Sequence, residues 1–264
     1  MSKLRIAIVA EGDTDIVIIQ AILKNIIQNP FVLTILQPNT SIAFSGNYGP
    51  NGGGWPGVFQ WCQQIVSQKA TFGCSIECIP ALKDYDLIII HTDADVASFT
   101  YSSANISDPP LNNLPCNQPC PSPMDSINVL KQVILSWMEE SSLPECWILC
   151  IPSKCTEAWV VALKYNNTGN QILNNLECDM NLEHWLSLRP ISEGERFTRK
   201  KSGNLYKKNT RVYRTFSDEV TKKWPSILHT NSSANAFNSD LVNSNCLCLT
   251  SGEENDNFRT IGTI

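Results

Sequence analysis

Apolar and polar residues fall into alternating blocks along the first two thirds of the chain. Residues 4–10, LRIAIVA, form a short apolar run rich in branched side chains and predict a buried strand. EGDTD interrupts it, with Asp13 or Thr14 able to cap a helix, and residues 16–27 then repeat apolar side chains at helical spacing up to Asn29-Pro30. Residues 31–36 predict a second strand, 45–57 (SGNYGPNGGGWPG) a glycine-rich loop, and 58–69 a helix with Phe59, Cys62 and Val66 on one face. The clearest buried strand is 86–91, DLIIIH, which runs directly into Thr92-Asp93-Ala94-Asp95. An irregular Ser/Asn/Pro/Cys-rich insertion at 98–123 precedes an amphipathic helix at 124–140, a fourth strand at 146–151 and a helix at 156–165. This alternation predicts an α/β protein with a Rossmann-like parallel sheet flanked by helices. Beyond it the pattern turns polar, giving a helical, basic C-terminal extension at 166–243 and a polar tail at 244–264, so that 1–165 is the expected catalytic domain.

Length and composition narrow the class. A chain of 264 residues with 42% hydrophobic side chains buries a real core and is not globally disordered. No apolar run approaches the length of about 20 residues needed to cross a membrane, and the N-terminus lacks the features of a signal peptide. Eleven cysteines, an odd number, then predict reduced thiols in a cytoplasmic protein. Cys62, Cys146, Cys150 and Cys155 fall at core positions and read as small hydrophobes. Two CxxxC pairs, Cys74/Cys78 and Cys116/Cys120, have the thiols for a zinc knot, but the Pro-rich setting of the second argues against one. The seven tryptophans fall mostly at helix or strand positions, where core packing outranks base stacking.

The net charge of −5 hides an asymmetry. Residues 189–223 hold eleven Lys/Arg against four Asp/Glu, a local balance of +7, and the rest of the chain carries −12. An acidic body beside a basic segment suits metal in one part and phosphate in the other. Arg199, Lys200, Lys201, Lys207, Lys208 and Arg211 are the candidate nucleic-acid contacts, with Tyr206, Tyr213 and Phe216 interleaved among the basic residues for backbone or single-strand contact.

The candidate chemistry lies at the ends of the strands, where parallel sheets bind ligands. Glu11 ends the first strand, Gly12 permits a tight turn, and Asp15 lies one turn along the helix. Asp93 and Asp95 end a later strand, where their spacing of two points both side chains to the same side. Glu157 opens the helix after the fourth strand. Bunched carboxylates repel, and oxygen-only ligation favours one or two Mg²⁺ or Mn²⁺ ions. Such ions clamp a phosphodiester and activate water. Lys154, in the turn after the fourth strand, is the first choice for steadying the phosphate, ahead of Lys200, Lys201, Lys207 and Lys208. His91 reads as a strand-end histidine with a backbone partner, and the glycine-rich loop as a flexible connection near the crevice.

EGxTD after the first strand and hhhhxTDxD after a later one together resemble the TOPRIM domain, the metal-binding module of topoisomerases, primases and OLD-type nucleases. Asp15, Glu157 and the IPS…TEAW segment at 151–159 are similar to standalone bacterial TOPRIM proteins and OLD-type nucleases. The resemblance covers about residues 4–165. It implies a TOPRIM-like sheet and a divalent-metal-dependent nuclease acting on DNA or RNA. In that pattern Glu11, Asp93, Asp95 and Lys154 are catalytic, and Glu11, Asp15, Asp93, Asp95 and Glu157 hold metal. Proteins of this kind often serve in prokaryotic defence against phage or plasmids. No GxxxxGK[ST] motif occurs, so the resemblance implies a nuclease-like subunit that acts alone or with a separately encoded ATPase. The rival expectation is a non-catalytic metal- or nucleotide-binding subunit docked on such an ATPase.

Overall fold

The computed structural model describes residues 3–38, 51–166, 171–190, 196–203 and 205–247. Its centre is a four-stranded, all-parallel sheet in the order β2-β1-β3-β4, built from β1 (Leu4–Val9), β2 (Phe31–Gln37), β3 (Leu87–His91) and β4 (Trp147–Cys150). β1 pairs with β2 from Leu4↔Phe31 and with β3 from Ile6↔Leu87, and β3 pairs with β4 from Ile88↔Trp147. Every residue of β1 except Arg5, and every residue of β3 and β4, is buried. Burial on both faces explains why these strands read as continuous apolar runs.

Successive side chains divide between the two faces. Ile6, Ile8, Leu87 and Ile89 join a core on one side with helices α1 (Asp13–Ile26), α4 (Glu157–Tyr165), α5 (Leu182–Ser187), α6 (Thr210–Lys223) and α7 (Ser232–Val242). Ala7, Val9, Ile88 and Ile90 face a second core under α2 (Gly54–Phe72) and α3 (Pro123–Trp137). On that side Trp55, Phe59, Tyr101 and Trp137 form an aromatic cluster, tied by the Trp137 indole donating to the Tyr101 hydroxyl at 2.8 Å. Tyr101 opens a short 3-10 helix, Tyr101–Ala104, and residues 106–122 after it are irregular.

α2 starts four residues before the expected position. Pro56 is tolerated in a first helical turn, where its missing N–H has no partner to lose. Gly57 is required there, because a Cβ would lie 2.6 Å from the Gln37 side chain and 2.7 Å from the Gly52 carbonyl. The part of the glycine-rich loop before residue 51 lies outside the described residues, as does the tail from 248. α3 starts at Pro123 behind Ser122, whose hydroxyl accepts from the Met124 N–H.

Two expectations need correction. The basic stretch at 198–208 is not helical; β5 (Thr198–Ser202) and β6 (Leu205–Lys208) form an antiparallel hairpin. Gly203, at φ +53, supplies the left-handed residue that a tight turn needs. α6 lies along α1, where Thr221 donates to the Ala21 carbonyl and Asn25 donates to the Thr221 carbonyl, and its apolar face completes the first core. Finally, the thiols are not all reduced. Cys120 pairs with Cys178 and Cys146 with Cys246. The first pair removes Cys120 from any zinc knot, and the second removes Cys146 from the simple core role. Among the described residues no helix is long and apolar enough to cross a membrane.

Candidate functional site

In the order β2-β1-β3-β4 the chain leaves β1 toward one edge and returns on its other side as β3. The carboxyl ends of β1 and β3 therefore flank the point where connections diverge, which leaves a crevice between the loops. Glu11 and Asp93 sit there, and the Asp93 N–H donates to Glu11 Oε1 at 2.8 Å. Gly54 closes the other side by donating its N–H to the Glu11 carbonyl at 2.8 Å. The cavity has a volume of about 560 Å³ and brings together Glu11, Asp15, Asp93, Lys201, Lys207 and Lys208.

Asp93 is the most constrained member. Its Oδ1 accepts from the Thr156 N–H at 3.0 Å and from the Thr156 hydroxyl at 3.3 Å, and lies 3.3 Å from His91 Nε2. His91 Nε2 is also 3.1 Å from the Thr156 hydroxyl. His91 thus reaches side chains rather than the expected backbone partner, and its Nδ1 is buried without one. Burial alone would lower the His91 pKa, but the Asp93 hydrogen bond and the charges of Asp15 and Asp93 outweigh it and raise it.

The strand does not continue through Asp95. It ends at His91, and residues 94–98 turn into a short 3-10 helix, with the Asp95 N–H donating to the Lys154 carbonyl at 3.0 Å. Burial and then the Asp93 charge push Asp95 up to about 8. Glu11 is raised well above the carboxylate range by burial and by Asp93 and Asp95. Asp93 is raised by burial, against the opposing pull of His91. The crevice therefore packs more negative charge than it can hold ionised.

Lys208 supplies most of the opposing charge. From the end of β6 its ammonium lies 2.9 Å from Glu157, 3.5 Å from Glu183 and 3.7 Å from Asp15. Burial would lower its pKa, but Glu157 and Asp15 hold it well above the ordinary lysine value. Glu157, fully buried at the start of α4, also accepts from the Tyr213 hydroxyl. Glu183 is pushed up to about 7 by burial, with Lys208 opposing.

Lys154, the first choice for steadying a phosphate, does not line this cavity. It sits at φ 63, contributes its carbonyl to Asp95, and forms no ion pair among the described residues. Lys208 is the basic group at the carboxylates. Tyr213 and Phe216 are buried in the core rather than interleaved on a binding face. Arg199 and Lys200 lie exposed on β5, and Lys201 and Lys207 face the cavity. Arg211 lines a different cavity, one element away. Sequence reasoning misses Glu183, which nothing in its local pattern marks, and takes Thr156 only as part of the TEAW segment that opens a helix.

The donors fit a hard cation in kind, since they are all oxygens and Asp15 Oδ1 is buried with no hydrogen-bond partner. Their grouping is looser. Among the described residues no three His, Cys, Asp or Glu are arranged to hold an ion, and the Lys208 ammonium neutralises Asp15 and Glu157. A scan against models of known protein families, and searches of the curated proteins and of the solved structures, returned no match.

Proposed function

We propose that the chain is a divalent-metal-dependent nuclease of TOPRIM-like kind that hydrolyses phosphodiester bonds in DNA or RNA. One observation carries the reading: Glu11, Asp15 and Asp93 share a cavity with Lys201, Lys207 and Lys208 at the diverging strand ends. Acid groups that repel and basic groups that remain exposed are what a cation and a phosphate backbone would both need. Glu11, Asp15, Asp93 and Asp95 would hold one or two Mg²⁺ or Mn²⁺, which supply charge neutralisation, polarisation of the phosphoryl oxygen and an activated water. Thr156 and His91 fix the Asp93 carboxylate, so it is oriented before any ligand arrives. Lys208 offers an ammonium for phosphoryl oxygens, and Lys201 and Lys207 hold the backbone by charge, with affinity falling steeply in salt.

A second reading draws on Lys208 itself. A carboxylate cluster already neutralised by a lysine suits a binding subunit, docked on a separately encoded ATPase, as well as an enzyme. One experiment separates the two. Purified wild type and Asp93→Ala are incubated with supercoiled and single-stranded nucleic acid in Mg²⁺, Mn²⁺ or EDTA. The nuclease reading expects metal-dependent nicking that disappears in the variant. Nicking that survives in Asp93→Ala overturns the assigned site, and a stable complex with a second protein that never cuts favours the subunit.

A further inference from the structure

A second cavity, of about 280 Å³, lies beside α5 and α6 and shares no lining residue with the acidic one. Its floor is apolar, made by Leu186, Phe197, Val212 and Phe216. Phe197 and Phe216 meet edge to face, with ring centroids 5.2 Å apart. Arg189, Arg196 and Arg211 line the rest, and none of them forms an ion pair among the described residues. The carboxylate in the lining, Glu219, is already held by Lys164 at 3.5 Å and Lys223 at 2.8 Å.

Three guanidiniums gathered with no ion pair among the described residues repel one another, and an anion relieves that repulsion. Arg189 sharpens the point. Its guanidinium carbon stacks 3.9 Å from the Trp185 ring centroid, and its Nε is buried with no hydrogen-bond partner. A buried donor without an acceptor is unfavourable, and a phosphate oxygen is the acceptor best matched to a guanidinium fork. Arg196 is pre-positioned, since its Nε donates to the Arg189 carbonyl at 2.8 Å. The volume falls just below the usual range for small-molecule sites, about 300–1,000 Å³, so it suits a small ligand, and its aromatic floor suits one flat ring system.

We infer that this pocket binds a phosphorylated nucleoside, with its phosphate on the three arginines and its base against the Phe197–Phe216 floor. The nucleoside phosphate comes either free or as the terminal nucleotide of a strand. The inference does not rest on the nuclease reading, because none of its residues belongs to the acidic cavity.

The test is calorimetric titration of the full chain in EDTA with AMP, adenosine, inorganic phosphate and a short 5′-phosphorylated oligonucleotide. The expected result is AMP binding with a Kd of about 100 μM or tighter. Binding of adenosine or phosphate alone should be at least about tenfold weaker, and Arg189→Ala and Arg211→Glu should each weaken AMP by a similar factor. Arg211 is exposed, so its variant tests the site even if Arg189→Ala folds poorly. Binding of the oligonucleotide but not of AMP, lost in Arg211→Glu, assigns the strand as the source. The inference is overturned if neither binds, if phosphate alone binds as tightly as AMP, or if binding is unchanged in both variants. Asp93→Ala, titrated in parallel, keeps the pocket intact, so loss of nicking and loss of AMP binding are read separately.

Discussion

The start of α6 separates two charged cavities that handle their charge in opposite ways. On one side Lys208 inserts a single ammonium among Asp15, Glu157 and Glu183, and the remaining carboxylates are driven toward their neutral forms. On the other, Arg189, Arg196 and Arg211 face an apolar floor and form no ion pair among the described residues, the Glu219 carboxylate being held by Lys164 and Lys223. Carboxylates can shed their charge by taking protons at ordinary pH, and guanidiniums cannot. The acidic cavity is thus closed internally, by a lysine and by protonation, whereas the arginine pocket is completed only by something from outside. Removing one basic residue from each side should therefore have opposite consequences.

The largest effect is expected on chemistry. If the acidic cavity is catalytic, Asp93→Ala lowers metal-dependent nicking by at least about 100-fold, a size typical of losing one transition-state stabilising group. Circular dichroism and the unfolding midpoint should show the fold retained. Nicking that depends on Arg211 and not on Asp93 would reverse the roles of the two cavities.

Next in size is the stability effect of Lys208→Met. It leaves Glu157 and Asp15 buried without their cation, and breaking a buried pair from one side costs about 3–5 kcal/mol. Urea unfolding at pH 8 should show a loss on that order. The loss should shrink at pH 5, below the raised values of Asp95 and Glu183, whose charges Lys208 also opposes. A loss that does not depend on pH would mean that packing of the lysine stem, not its charge, closes the cavity.

The same crowding predicts how the wild type responds to pH. Asp95, at about 8, and Glu183, at about 7, have folded values above their ordinary 3.8 and 4.5, so the folded state binds protons more tightly than the unfolded one. Their contribution to stability is complete below those ordinary values and is lost as pH rises through 7 and 8. Between pH 5 and pH 8 the melting temperature should fall, by about 2–4 °C for each kcal/mol lost in a chain of this size. Asp95→Asn should flatten the slope, and a slope that survives the substitution would assign the effect to other groups.

The two cavities also differ in how far they can be read from sequence. Glu11 and Asp93 are legible because each closely succeeds an apolar strand, and strand ends in a parallel sheet are where ligands go. Lys208 is visible only as one of several basic residues, because its pairing with Glu157 spans 51 residues and is made by tertiary contact. The hairpin that carries it falls in a stretch whose polar pattern suggests helix, although Ser202-Gly203-Asn204 between polar strands is a turn signal. Tyr213 reads as a surface aromatic when only its basic neighbours are weighed. The spacing of Val212, Phe216 and Val220 already puts it on the buried face of α6. Sequence separation hides the disulfides too, since Cys146 and Cys246 lie 100 residues apart and have no local motif.

The smallest effect gives the sharpest contrast. Arg211→Ala removes an exposed side chain that forms no ion pair among the described residues, so its stability change should stay within about 0.5 kcal/mol. Its sign matters more than its size. If the pocket is an unfilled cluster of like charges, removing one guanidinium relieves repulsion and slightly stabilises the protein, and the gain fades as added salt screens the remaining pair. If an acidic group of the chain paired with Arg211 in solution, the same substitution would destabilise, and salt would reduce that loss instead. Urea unfolding of wild type and variant at about 10 mM and about 500 mM salt, where the screening length drops several-fold, distinguishes the two. Stabilisation at low salt keeps the arginine pocket open to an outside anion. Destabilisation at low salt would make it, like the acidic cavity, a site that the chain neutralises for itself.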